Sequence, residues 1–130
     1  MMAAILMLGI TGCAQSNRLA PSTDSPVEGK KVAYVMQMAP SDIFRMWSES
    51  AQKTAEGLGM EFEAFFCDGS DDKWRDTVTQ CAAEGYDGLL LSHGGKDYAY
   101  TFLTNLLQQY PDLKIVTFDT LFEDSSGQAQ

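Results

Sequence analysis

The chain of 130 residues is 45% hydrophobic and 21% charged, carries a net charge of −9, and has no charged residue before Arg18. This length suits one small domain or a piece of a larger one. The acidity argues against nucleic acid as a partner, since a phosphate backbone needs clustered Lys and Arg, and against attachment to anionic lipid through a basic patch.

The first segment, Ala3 to Ile10, is apolar apart from Gly9. It falls far short of the roughly twenty residues that span a bilayer and matches the apolar region of a secretory signal, here residues 1–12. The positively charged start of such a signal is missing, so a true start upstream, or a clipped copy, is expected. The ending Leu8-Gly9-Ile10-Thr11-Gly12-Cys13 resembles a bacterial lipobox: an apolar residue, two small residues, then the cysteine. The resemblance implies cleavage before Cys13 and lipidation of its sulfur, which would hold the protein on the extracytoplasmic face of a membrane. Several acyl chains anchor firmly where one is marginal. The alternative is a plain signal peptide with a chance cysteine. Residues 13–29 include Gln15, Ser16, Asn17, Pro21, Ser22, Thr23, Ser25 and Pro26 and lack apolar periodicity. They read as a flexible tether.

Lys31 to Met36 is a short apolar run and predicts a buried strand. Pro40-Ser41-Asp42 breaks it and supplies caps for a helix whose apolar or small positions run Ile43, Met46, Trp47, Ser50, Ala51, Thr54, Ala55 and Leu58. Gly57 and Gly59 mark its end. Phe62 to Cys67 predicts the second strand. Ser70 is a candidate N-cap with Asp71 and Asp72 in the first helical turn. Trp74, Val78, Cys81 and Ala82 make the core face of that helix, and Gly85 ends it.

Asp87 to Ser92 predicts a third strand covered on both faces. His93-Gly94-Gly95 is a tight turn. Ala99, Phe102, Leu103, Leu106, Leu107 and Tyr110 form the stripe of a third helix, stopped by Pro111. Lys114 to Asp119 is the fourth strand, and residues 121–130 read as a polar tail. Strands alternating with helices call for a parallel sheet with right-handed crossovers. In that layout Cys67 at a strand end and Cys81 near the end of the returning helix lie too far apart to bridge, so two buried free thiols are expected even in an oxidising compartment. Trp47, Trp74 and the methionines Met36, Met38, Met46 and Met60 read as core filler.

Open parallel sheets bind ligands beyond the carboxyl ends of their strands. Gln37 to Phe44 holds no glycine, which excludes a dinucleotide fingerprint and a phosphate loop there. His93 is the single histidine, and its neighbour Ser92 is expected to point the other way along an extended chain, which weakens nucleophilic catalysis. Metal sites need more than one His with spaced carboxylates or paired thiols. No cofactor is called for, and an enzyme is the weaker class.

Five stretches carry a wider resemblance: Val32-Ala33-Tyr34-Val35, Asp42-Ile43-Phe44, Ala51 to Gly59, Tyr86 to Ser92, and Ile115-Val116-Thr117-Phe118-Asp119. From Lys31 to Thr120 the chain resembles the N-terminal lobe of a type 1 periplasmic sugar-binding protein, the ribose- and galactose-binding group that serves ABC transporters. The resemblance implies an α/β fold, a three-layer Rossmann-like lobe over residues 30–120. It implies a sugar or related solute as ligand and an ABC transporter permease as partner. Phe44 matches the aromatic that stacks on a sugar face; where the family often has two adjacent aromatics, this chain has Ile43 first. Asp119 matches a strand-end aspartate that accepts from sugar hydroxyls, followed here by Thr120 rather than arginine. Asp42 is a polar contact or the helix N-cap, and Ser92 and His93 are further candidates at the third strand end, with a solvated turn residue as the other and slightly favoured reading of His93. The family closes two lobes on its ligand, so the resemblance further implies a piece of a longer protein, with weak or no sugar binding by this chain alone. A sugar-sensing regulator or receptor domain of the same fold, and a small stand-alone α/β enzyme, are the alternatives.

Overall fold

The computed structural model describes residues 25–123 and 126–127. The expected signal, Cys13 and the tether up to residue 24 lie outside them. Ser25 to Lys30 forms a turn, with Glu28 N–H donating to Ser25 O (3.1 Å) and Gly29 N–H to Gly59 O (2.8 Å). That bond seats the chain beside the first crossover before the first strand begins.

The elements alternate as β1 (Lys31–Met36), α1 (Asp42–Gly57), β2 (Glu61–Phe66), α2 (Asp71–Ala83), β3 (Gly88–Ser92), α3 (Lys96–Gln109) and β4 (Lys114–Phe118). Each strand lies within a residue of the run that predicts it. All pairings are parallel, in the order β2-β1-β3-β4. The chain goes from β1 to one side for β2, then crosses to the other for β3. That reversal opens the crevice between the ends of β1 and β3 where such sheets take ligands.

Helix starts follow their capping residues. Ser41 Oγ accepts from Phe44 N–H (3.4 Å) and Ser70 Oγ from Lys73 N–H (3.2 Å). Asp42 is therefore the first residue of the helix rather than its cap, favourably placed against the helix dipole. After the C-cap Leu58, Gly59 takes φ +81°, a left-handed turn that glycine enters without steric cost.

The main core lies on one face of the sheet. Ala33, Val35, Leu89 and Leu91 meet Trp74, Val78 and Cys81 of α2 and Ala99, Leu103 and Leu106 of α3. Phe122 joins them, only 4% exposed, with its ring 6.2 Å from that of Trp74. The polar reading of residues 121–130 does not foresee this: one aromatic among acidic and small residues carries no periodicity. Cys67 and Cys81 are free and buried, as expected.

The opposite face carries α1 alone. That helix lies over β1 and β2, so the sheet beside it is bare, and Val116 is 60% exposed. A groove of about 560 Å³ runs there between Leu58, Met60, Val32, Leu90 and Val116. For the same reason Ile43, Met46 and Leu58 of the apolar stripe are exposed, and so is Met38 in the loop before α1. The reading of Met38 and Met46 as core is corrected here, because no element covers them among the described residues. Met36 is fully buried and Met60 half-buried. Among the described residues no helix is long and apolar enough to cross a membrane.

Candidate functional site

Residues in left-handed conformation follow three strands: Asp68 after β2 (φ 56°), His93 after β3 (φ 58°) and Asp119 after β4 (φ 59°). Each costs local backbone energy that its surroundings must offset. Two of the three touch each other. His93 Nδ1 lies 3.2 Å from Asp119 Oδ2, with the side chains 36% and 22% exposed.

The left-handed turn also corrects an expectation. Along an extended chain His93 would point away from Ser92. With φ positive at His93 the ring turns back, and Ser92 Oγ lies 2.9 Å from His93 Nδ1. Ser92 is fully buried. Its Oγ also lies 3.0 Å from each carboxylate oxygen of Asp119, so its single proton is shared across the carboxylate. Thr120 Oγ1 adds a contact to Asp119 Oδ1 at 3.3 Å.

The geometry is not that of a nucleophile relay. A relay sets the carboxylate on one ring nitrogen and the hydroxyl on the other. Here both meet Nδ1, and the serine oxygen is sealed from solvent. The arrangement fixes a carboxylate: Ser92, His93 and Thr120 all contact Asp119, which stays partly exposed at the sheet edge.

An aromatic row flanks it. The Phe44 ring lies 5.5 Å from His93 and 5.5 Å from Trp47. Trp47 meets Phe118 at 5.4 Å, and Phe118 meets Tyr34 at 5.8 Å. Phe44 and Trp47 are half-buried. Asp42 is exposed in the first turn of α1, two residues before Phe44. Among the described residues no group of three or more His, Cys, Asp or Glu could hold a metal ion.

This strand-end arrangement sits on a fold that solved structures share. No protein-family model matches the chain, and no curated protein matches it significantly. A sugar ABC transporter from Yersinia enterocolitica subsp. enterocolitica 8081 superposes with a TM-score of 0.60 at 21% identity, over 70% of this chain and 32% of that one. A 5-methylthioribose transporter solute binding protein from Thermotoga lettingae TMO, in complex with 5-methylthioribose, gives 0.65 at 20% identity, over 72% and 29%. The chain has the fold of these transport proteins. It spans about a third of the length of each.

Within this fold the sequence-read candidates Phe44, Ser92, His93 and Asp119 are linked by contacts at one edge, and Asp42 lies two residues before Phe44. Sequence reasoning missed Phe118 and Tyr34 and took Trp47 for core filler. Trp47 does pack, but against Phe44 and Phe118 at the rim of the site. Its spacing of three residues from Phe44 puts both on one helix face, which was the available signal.

Proposed function

We propose that this chain is part of an extracytoplasmic solute-binding component of an ABC transporter, and that its strand-end edge takes a sugar or related polyol. The observation that carries the reading is the convergence of Asp119, held by Ser92 and His93, with the half-buried ring of Phe44. A carboxylate accepts from two sugar hydroxyls at once, and charge-assisted bonds are the strong ones. An aromatic face suits the C–H face of a sugar. The solved transport proteins of the same fold support the class of ligand. In this reading Cys13 carries the lipid anchor, the following residues tether the lobe, and a permease is the partner in the membrane.

A single lobe offers one wall of a site that such proteins close from two sides, so millimolar affinity is expected. Calorimetry with a panel of pentoses and hexoses, on the wild type and on Asp119→Ala and Phe44→Ala, tests this. Binding by at least one sugar, weakened about tenfold by either change, supports it. Binding indifferent to both changes contradicts it. Labelling with a fatty-acid probe, lost in Cys13→Ser, tests the anchor.

A further inference from the structure

Tyr34 is a buried polar residue that this reading leaves unused. It lies in β1, fully buried, and its hydroxyl has no hydrogen-bond partner. A buried hydroxyl without a partner is costly and uncommon. Its ring packs between Phe118 (5.8 Å) and Phe66 (6.1 Å). Tyr34 stands opposite Leu90 in the β1–β3 register, so Ser92, two residues on, is its diagonal neighbour on the same face of the sheet.

Ser92 has the complementary shortage. Its one proton goes to Asp119, and its oxygen meets His93 Nδ1. A hydroxyl oxygen has two lone pairs, so one is left. We propose that Tyr34 is a positioning residue of this site, its hydroxyl donating to the remaining lone pair of Ser92. Two buried hydroxyls in series, Tyr34 to Ser92 to Asp119, then hold the carboxylate from beneath. A donor on Ser92 polarises its O–H and strengthens the bond onward to Asp119. Rotation of the phenolic hydroxyl and a small shift of the ring complete the chain. The inference deepens the proposed reading of this edge and rests on it only where sugar binding is measured.

The test uses nuclear magnetic resonance on the full chain. His93 is the single histidine, so its ring ¹⁵N signals are unambiguous, and they report directly on Ser92 at 2.9 Å. Tyr34→Phe removes the hydroxyl and keeps the ring. Phe66→Leu disturbs the packing of that ring and keeps the hydroxyl. Tyr34→Phe is expected to displace the His93 ring signals and to weaken sugar binding about fivefold, the scale of one hydrogen bond. Phe66→Leu is expected to leave both in place. His93 signals unmoved by Tyr34→Phe, or moved equally by Phe66→Leu, would overturn the proposal. If no sugar binds the wild type, the reading of the edge falls, and the ligand-free His93 signals alone decide the role of Tyr34.

Discussion

Ser92 and Asp119, 27 residues apart in sequence, meet across the carboxyl edge of the sheet with the serine oxygen 3.0 Å from both carboxylate oxygens. The serine is fully buried, so its hydroxyl has no water to fall back on. Ser92→Ala removes a charge-assisted bond and is expected to cost about 2 kcal/mol. Urea unfolding reads this as a lower midpoint at unchanged slope. A loss below about 0.5 kcal/mol would show that the pair contributes little to the fold.

Phe122 makes the segment after β4 part of the core. Its ring packs on Trp74 at 6.2 Å, and it would lie 3.2 Å from a side chain added at Gly94. Phe122→Ala is expected to destabilise by about 3 kcal/mol, the usual scale for a buried aromatic. The exposed neighbour Glu123→Ala should change stability by less than about 0.5 kcal/mol. Equal effects from the two would contradict the packing of Phe122.

What the sequence made legible was the part set by local pattern. The face Trp74, Val78, Cys81 and Ala82 repeats at helical spacing and is buried throughout. The serine caps at 41 and 70 are visible because cap chemistry is local. Three features were hidden, each for a physical reason. The Ser92–His93 contact depends on the sign of one backbone angle, which alternation along a strand cannot supply. The exposure of Met46 depends on what covers α1, and a helical stripe says only which side is apolar. The pairing of Ser92 with Asp119 depends on the register of β3 against β4, where Ser92 stands opposite Phe118.

The thiols are expected to be inert. Burial pushes Cys81 up to about 11, with the charge of Glu84 adding to it, and burial raises Cys67 against the opposing contact of Thr77. A thiol is nucleophilic only as thiolate. At pH 8 a thiol reagent should leave Cys67 and Cys81 unmodified in the folded chain and modify both in urea. Rapid labelling of either in the folded state would contradict their burial.

Asp87 ties the start of β1 to the start of β3. Lys30 Nζ lies 2.7 Å from Oδ1, and Lys31 N–H donates to Oδ2 at 2.8 Å. The ion pair with Lys30, then the backbone bond, hold the carboxyl below its ordinary 3.8. Its pKa is lower folded than unfolded, so its stabilisation is full above the unfolded value and is lost as pH falls through the folded one. The ion pair is exposed and screened by salt, which leaves the backbone bond as the larger part. Asp87→Asn should lower stability at pH 7 and flatten the acid limb of the stability curve below about pH 4. An acid limb unchanged in Asp87→Asn would contradict this role.

The decisive property is where a sugar binds. The most direct measurement is a backbone amide shift map of the chain titrated with pentoses and hexoses to high millimolar concentration. Saturable shifts clustered at Phe44, Ser92, His93 and Asp119, with affinity about tenfold weaker in Asp119→Ala, are predicted. Shifts confined to the apolar groove beside Leu58 and Val116, or no saturable shift with any sugar, would contradict it.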